Sequence, residues 1–393
     1  MHVMKQVLLA TAAALALAVT PAAAQQKTVK IGFIGTFSGA AAALGNDMRN
    51  SFEIGLDHAG RKLGGLPVEV IHEDDQIKPE VGVQKTQKLI ESDRVDFLVG
   101  YIWSNVLLGS LKPAIDSKTF LITTNAGPSQ IAGELCSPYV FSTSWQNDQR
   151  PAAVGTYLTK KGFRTLFLIA PNYAAGKDQV AGVESNYKGQ VVGKELTRWP
   201  DQLDFSAELA KVKAVRPDVV FAFYPGAAGT QFLTQYIQAG LKGVIPLYTS
   251  SVVDEVSLPH QKDLALGVFG VSQWGYDMDN PTNKRYVADY KAKHKTYPSA
   301  YGAQTYDAVA LIDSGIKAVN GDLAKKDEMR RAMEKADFKS VRGDFKFGKN
   351  QFPVQNYYLQ VVGKGPDGRI VHKTMGTVLT ARGDAYVQDC KMQ

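Results

Sequence analysis

The chain has 393 residues, of which 45% are hydrophobic and 21% are charged, and its formal charge is +7. This composition excludes an intrinsically disordered chain, a coiled coil and a collagen-like repeat. The positive charge is spread along the chain without a Lys/Arg block, so the charge pattern predicts no nucleic-acid partner.

The first predicted element is an export signal at residues 1–24. It contains one basic residue, Lys5, an apolar stretch at residues 7–19 and the small residues PAAA at 21–24. A basic start, a short apolar core and a small-residue cleavage site are typical of a secretory signal peptide, and spanning a bilayer would need roughly 20 apolar residues. We therefore predict a soluble, exported mature chain that begins at Gln25. Because that residue is not cysteine, we predict no lipid anchor.

After the signal, short apolar runs alternate with helical patterns, first up to about residue 140 and again after about residue 150. The first half has predicted strands at 28–35, 67–72, 95–100 and 120–124 and predicted helices at 45–60, 79–92 and 105–117. The second half has predicted strands at 165–170, 191–199, 218–223 and 244–248 and a predicted helix at 230–239. Such alternation is typical of a largely parallel sheet flanked by helices. Its double occurrence predicts two α/β lobes.

The remaining residues must complete these two lobes. The segment 281–335 is helical with few strands, so it is expected to return and cover a lobe, whereas 340–376 is strand-like again. Short crossings are expected near 142–147, 273–277 and 351–356, and together they would form a three-segment hinge. The predicted lobes are 25–143 with 275–350, and 144–274 with 351–393.

The chain has two cysteines, Cys136 and Cys390. An even number in an exported protein favours one disulfide over two free thiols, and the spacing does not resemble a metal site. The bridge would hold the C-terminal tail against the first half of the chain, near the first crossing.

A search for catalytic motifs finds no convincing one. Residues 343–349 have the spacing of a phosphate loop, but Asn350 stands where a Ser or Thr should hold Mg²⁺, so a strand and turn is the better interpretation. No two histidines are three or four residues apart, and the acidic residues 72–75 are better explained as a polar strand end. We therefore predict no enzyme, no metal and no cofactor.

Candidate ligand contacts lie in the loops after the strands, because ligands of open α/β sheets bind beyond the carboxyl ends of the strands. The loops of the first half contain small hydroxylic residues and helix starts, which suit an anion. Trp103, Tyr173 and Tyr224 each follow a predicted strand and could enclose an aromatic group. For each of these rings alone, simple core packing is an equally good explanation.

Several segments in order now indicate a family. Residues 29–39 (VKIGFIGTFSG), the helix at 45–60, VGYIWS at 99–104 and TTNAGP at 123–128 resemble the periplasmic solute-binding proteins of ABC transporters, in the leucine/isoleucine/valine-binding branch. The resemblance spans essentially the whole mature chain. It implies a two-lobed type I fold, a periplasmic location, a monomer, and a membrane permease with its ATPase as partners.

The resemblance also implies contacts from the first lobe. The family serine that holds the ligand carboxylate corresponds to Ser104. The loop that supplies backbone and hydroxyl contacts corresponds to Asn125, Ala126 and Gly127. Amino-acid binders usually have threonine at the position of Gly127, so one contact to a ligand ammonium is missing.

The family's second-lobe tyrosine corresponds to Tyr173. The aromatic residue of the helix near 300 corresponds to Tyr301. The acid that binds the ligand ammonium corresponds to Ser251, although Asp254 and Glu255 are close enough to take its place. With serine there, an amino acid is disfavoured, because a buried ammonium without a carboxylate costs several kcal/mol.

The hypothesis that follows is a small aromatic carboxylate, such as a benzoate or phenylpropanoid acid, bound between two closing lobes. The alternative is a branched-chain or other amino acid. A ligand sensor that docks on a signalling receptor and an exported enzyme are the remaining alternatives.

Overall fold

The computed structural model describes residues 27–392, and they form two α/β units. The predicted signal peptide at 1–24 and the predicted mature start at Gln25 lie outside the described residues. Within the described range, no helix combines the length and the apolar character needed to cross a membrane.

Two sheets organise the chain. The strands are β1 (Val29–Gly35), β2 (Lys62–Leu63), β3 (Leu66–Asp74), β4 (Phe97–Gly100), β5 (Phe120–Thr123), β6 (Val140–Ser142), β7 (Thr165–Pro171), β8 (Gln190–Thr197), β9 (Val219–Ala222), β10 (Leu247–Thr249), β11 (Phe269–Ser272), β12 (Lys346–Phe347), β13 (Pro353–Lys364) and β14 (Ile370–Arg382). The first sheet has the order β2-β3-β1-β4-β5-β6, and the second has the order β12-β13-β11-β10-β9-β7-β8 with β14 beside β13.

Both sheets are parallel in their centres. In the first sheet only the short β2 runs antiparallel to its neighbour. In the second sheet β8, β7, β9, β10 and β11 are parallel, and β12, β13 and β14 add an antiparallel edge. Parallel strands covered by helices on both faces need apolar residues at every position, and β4, β5 and β9 are buried throughout. The predicted two-lobed α/β fold is therefore confirmed.

Helices connect and cover the strands. They are α1 (Ala42–His58), α2 (Pro79–Glu91), α3 (Ser104–Asp116), α4 (Ser129–Ala132), α5 (Gln149–Lys161), α6 (Ala174–Asn186), α7 (Ser206–Val215), α8 (Ala227–Gln238), α9 (Leu258–Gln261), α10 (Pro281–His294), α11 (Ala300–Ala318) and α12 (Lys326–Glu334). Helices α10 and α11 pack against α1, and α12 packs against α11. The late helical segment thus covers the first lobe, as the sequence predicts.

The chain passes between the sheets after β6, after β11 and before β13. These passages coincide with the three predicted crossings. β12 lies in the segment predicted for lobe one but pairs with β13, so the first residues of β13 link both lobes. β14 runs to Arg382, beyond the predicted end at 376, because its largely exposed outer residues give it a weak apolar signal.

Two local predictions are also confirmed. Cys136 and Cys390 form a disulfide with a Cα–Cα distance of 5.6 Å. The phosphate-loop-like segment contains β12 and leads into β13, so it is a strand and turn and not a strand-to-helix loop. Among residues 27–392, no group of His, Cys, Asp and Glu side chains could hold a metal ion.

Candidate ligand-binding site

The carboxyl ends of the parallel strands in both sheets face one interlobe cleft. The residues predicted to bind ligand follow those ends, except Tyr301, which lies in the first turn of α11. All of them are buried: Trp103, Ser104, Asn125, Ala126, Gly127, Tyr173, Tyr224, Ser251 and Tyr301. The lobes are in contact, since the backbone N–H and hydroxyl of Ser129 in lobe one each donate to Asp178 of α6 at 3.0 Å.

A tight turn after β4 positions Trp103 and Ser104. Gly100 has φ +112°, and a Cβ there would lie 2.1 Å from the Ile34 carbonyl oxygen, so only glycine fits. Trp103 then precedes α3, and its Nε1 donates to Thr36 Oγ1 at 2.8 Å. The indole is thereby held between the loops that follow β1 and β4.

Ser104 is the first residue of α3, where backbone N–H groups are free of helical partners. Its hydroxyl oxygen accepts from Asn147 Nδ2 at 3.1 Å. Because a hydroxyl can accept and donate at once, its proton remains available to an incoming acceptor. Asn147 Nδ2 also donates to Asp178 at 3.0 Å, which links Ser104 to lobe two.

Gly127 lies against the first crossing. A Cβ at this position would lie 1.9 Å from the Trp145 carbonyl oxygen, a separation that no side chain tolerates. The Gly127 N–H donates to Asn147 Oδ1 at 3.3 Å, and the Asn147 N–H donates back to the Gly127 carbonyl at 2.8 Å. This close approach leaves no room for the threonine expected in an amino-acid binder.

Four rings meet across the outer part of the cleft and are here named the mouth cluster: Trp103, Tyr173, Trp199 and Phe223. Tyr173 stacks on Trp199 with 5.0 Å between ring centroids and on Phe223 with 6.3 Å. Trp103 from lobe one lies 6.3 Å from Tyr173 and 6.1 Å from Trp199. Trp199 and Phe223 were not predicted; both follow strand ends, which is the signal that could have identified them.

Tyr224 lies apart from the mouth cluster. Its ring packs on Phe205 and Phe232 in the core of lobe two, and its hydroxyl lies 2.9 Å from Thr197 Oγ1. One side of Tyr224 also lines a small cavity of about 60 Å³ beside Trp199. The Tyr224 ring is thus packed in the core of lobe two, which was the alternative to its predicted role in enclosing a ligand.

Ser251 and Tyr301 meet at the inner part of the cleft, where Ser251 opposes the rise in the pKa of Tyr301 that burial causes. The Tyr301 hydroxyl also donates to Asp254 Oδ2 at 3.3 Å. Burial raises the pKa of Asp254, and hydrogen bonds from Ser257 oppose this rise. A carboxylate therefore does face the cleft, supplied by Asp254 and not by position 251.

A buried guanidinium is the main feature that the sequence did not reveal. The Arg150 Cζ atom lies 3.8 Å from the centroid of the Trp145 ring, and Nε donates to Gln273 Oε1 at 2.8 Å. The Trp145 ring lies 6.3 Å from Tyr301. We name Trp145, Arg150, Asp254, Gln273 and Tyr301 the hinge-end cluster, because Trp145 and Gln273 belong to crossing segments.

The hinge-end cluster is connected to the first lobe through amides. Gln273 Nε2 donates to Gln304 Oε1 at 2.9 Å, and Gln304 Nε2 donates to Asn125 Oδ1 at 3.3 Å. Asn125 in turn donates to the Ile102 carbonyl at 2.8 Å. The predicted ligand residue Asn125 thus lies at the lobe-one end of a series of hydrogen bonds that begins at Arg150.

Comparisons with known proteins identify the family of the chain and similar folds. The sequence pattern described as "Periplasmic binding protein" matches residues 28–367. The Leu/Ile/Val-binding protein homolog 6 of Brucella abortus (strain 2308) is 28% identical over 95% of this chain and 97% of its own length.

Two solved structures are also similar. An ABC transporter solute-binding protein from R. palustris in complex with benzoate has a TM-score of 0.88 and 32% identity, covering 93% of this chain and 100% of that one. A solute-binding protein from Rhodopseudomonas palustris BisB5 in complex with 3,4-dihydroxybenzoic acid has a TM-score of 0.85 and 27% identity, covering 91% and 99% respectively.

Two α/β lobes, three connecting segments and a buried interlobe site define a solute-binding protein of the two-lobed type I class. The chain belongs to the periplasmic binding protein family. Family and fold are those of the solute-binding proteins of ABC transporters and not those of a class of enzymes.

Proposed function

We propose that this protein is the periplasmic capture component of an ABC importer and that it binds a small aromatic carboxylate between its lobes. The observation that carries the proposal is the mouth cluster, in which rings from both lobes meet within 5.0–6.3 Å. An aromatic ring that inserts among them would bury on the order of 150–250 Å². The benzoate and 3,4-dihydroxybenzoic acid bound by the two similar proteins support the same ligand class.

Ligand capture would proceed from lobe one. The Ser104 hydroxyl and the N–H groups at the start of α3 would hold the carboxylate, at roughly 1.5–3 kcal/mol for each bond to a charged group. Closure would then bring Tyr173 over the ring, and the contacts that exist only in the closed form would couple binding to closure. A membrane permease driven by an ATPase would receive the ligand from this closed form.

A branched-chain or other amino acid is the second candidate, and Asp254 is the observation that favours it. Its carboxylate faces the cleft beside Tyr301, where it could accept from a ligand ammonium. Two features oppose this candidate: Gly127 has no room for a threonine hydroxyl, and Arg150 places a positive charge near the same acid. The aromatic carboxylate accordingly fits the site better.

Isothermal titration calorimetry of the ligand-free protein with benzoate, 4-hydroxybenzoate and leucine tests the proposal. We expect at least one aromatic acid to bind with a Kd on the order of micromolar, which corresponds to about 8 kcal/mol, and leucine to bind far more weakly. Tight leucine binding with no heat from either aromatic acid would replace the proposed ligand class by the amino-acid alternative.

A further inference from the structure

The strongest unexplained feature in the cleft is the Arg150 side chain. It is only 5% exposed, and apart from the bond from Nε to Gln273 its Nη2 atom is buried without a hydrogen-bond partner. A buried charge is costly unless it is paired and hydrogen-bonded. Burial lowers the pKa of Arg150, but an arginine keeps its proton at neutral pH. The closed site therefore contains a cation that still needs an anion.

The acidic residues nearest to Arg150 already have other partners. Asp254 accepts from the Tyr301 hydroxyl at 3.3 Å and from the Ser257 N–H at 2.8 Å. Glu255 Oε1 lies within hydrogen-bond distance of His372 Nδ1, at 3.0 Å, and both side chains are buried. Both acids act on Arg150 only through space, and within residues 27–392 the guanidinium has no ion pair.

Other unused polar atoms lie at the same end of the cleft. Trp145 Nε1, on the ring that stacks with the guanidinium, is buried without a hydrogen-bond partner, and so is Ser250 Oγ next to Ser251. Arg150 Nη2 and Trp145 Nε1 can only donate, and a hydroxyl can also donate. A surplus of buried donors calls for a ligand group that only accepts, and an ionised carboxylate is such a group.

We propose that Arg150 is the counter-ion of the ligand carboxylate and thereby the residue that selects acids over their neutral analogues. This inference rests on the proposed function, because it assigns a role within the same site. Stacking on Trp145 fixes the plane of the guanidinium, and the bond to Gln273 fixes its rotation, so Nη2 has a defined direction. On closure, the carboxylate first held by Ser104 would also contact Arg150 at the hinge end, and the aromatic ring would point toward the mouth cluster.

The test compares benzoate with benzamide, which has the same ring and no charge, by calorimetry on four proteins. These are the wild type, Arg150→Gln, Arg150→Lys and Arg164→Gln. Arg164 is an exposed arginine of the same lobe and controls for the loss of one positive charge. Circular dichroism and the denaturation midpoint establish that each variant folds.

We expect the wild type to prefer benzoate over benzamide, and Arg150→Gln to weaken benzoate by on the order of 10- to 100-fold, as for loss of a hydrogen bond to a charged group. The affinity for benzamide should change little, so the ratio of the benzoate affinity to the benzamide affinity should approach one in this variant. Arg150→Lys should be intermediate because lysine keeps the charge and loses the planar fork. Arg164→Gln should bind both compounds like the wild type.

Equal weakening of benzoate and benzamide in Arg150→Gln would overturn the assignment and leave Arg150 a structural residue of the hinge. If Arg150→Gln does not fold, the wild type decides, because equal affinity for benzoate and benzamide excludes a counter-ion. Binding of leucine but of neither aromatic compound would refute the proposed ligand class. The counter-ion role would then stand or fall by the same comparison between leucine and leucinamide.

Discussion

The mouth cluster and the hinge-end cluster line one cleft. They differ in whether their buried polar atoms have hydrogen-bond partners within the protein. At the mouth, Tyr173 stacks on two rings, and the indole N–H of Trp103 already donates to Thr36. At the hinge end, Arg150 and Trp145 retain buried donor atoms without partners. Ring contacts at the mouth can be exchanged for ligand contacts at little cost, whereas the hinge end is incomplete until an acceptor arrives.

This difference separates two kinds of substitution. A change at the mouth should alter ligand affinity and leave the fold intact, because the rings lie outside the crossing segments. A change at the hinge end should alter stability as well, because Trp145, Arg150 and Gln273 lie in or beside the segments that join the lobes.

The largest effect is expected at Asp148, the residue that precedes α5 at the hinge end. Burial, followed by the charges of Asp178 and Asp384, raises its pKa to about 7, and its side chain makes no capping hydrogen bond. Between the ordinary pKa near 3.8 and about 7 the folded state holds the extra proton. The free energy of unfolding therefore falls as pH rises through this window, by on the order of 2–4 kcal/mol, and is constant above it.

Urea denaturation at pH 4.5 to 8.5 measures this effect as a difference between wild type and Asp148→Asn. The variant should resemble the wild type at the acid end and be more stable at the alkaline end, because asparagine imitates the protonated acid. Asp116→Asn, at an exposed position in lobe one, is the control and should follow the wild type. Parallel profiles for wild type and Asp148→Asn would show that Asp148 does not titrate in this window.

A smaller effect, seen mainly in binding, is expected at Tyr173. Tyr173→Ala removes the ring that stacks on Trp199 and Phe223, and the affinity for an aromatic acid should fall on the order of 30- to 100-fold, as for loss of a buried aromatic contact. Tyr173→Phe keeps the ring and is the matched control, expected to stay close to the wild type. The denaturation midpoint of Tyr173→Phe should change little, whereas Tyr173→Ala should lower it, because deleting a buried ring leaves a cavity.

Calorimetry with 4-hydroxybenzoate gives the affinities. If Tyr173→Ala bound as tightly as the wild type, the mouth rings would not contact the ligand. If Tyr173→Phe, which keeps the ring, lost stability together with affinity, the division between mouth and hinge end would be wrong.

The sequence predicted the central fold because buried parallel strands have a strong signal. β1, β4, β5 and β9 are short, continuous apolar runs, and each was predicted within two residues of its bounds. β14 was predicted less well, since it lies at the edge of its sheet and most of its side chains are partly or fully exposed. A strand that is exposed on one side has fewer apolar residues, so its bounds are harder to predict from the sequence.

Apart from Tyr301, which the family resemblance indicates, the candidate ligand residues were found because they follow strand ends. The loops that directly follow strands contain Trp103, Ser104 and Tyr173. The rule that ligands bind beyond the carboxyl ends of strands therefore identifies them from the sequence alone. Arg150 lies in the first turn of α5, after a crossing whose path is set by packing of the lobes. One local signal exists, since a cation is unfavourable in the first turn of a helix, but it becomes informative only when burial of that residue is known.

Mass spectrometry of the small molecule released when the purified protein is denatured without prior dialysis shows directly whether the cleft holds an aromatic carboxylate. A protein that binds aromatic carboxylates should release a benzoate or phenylpropanoid acid in an amount that rises with protein concentration. Arg150→Gln purified in parallel should release much less of it. Release of leucine, isoleucine or valine as the main compound would refute an aromatic carboxylate as the ligand.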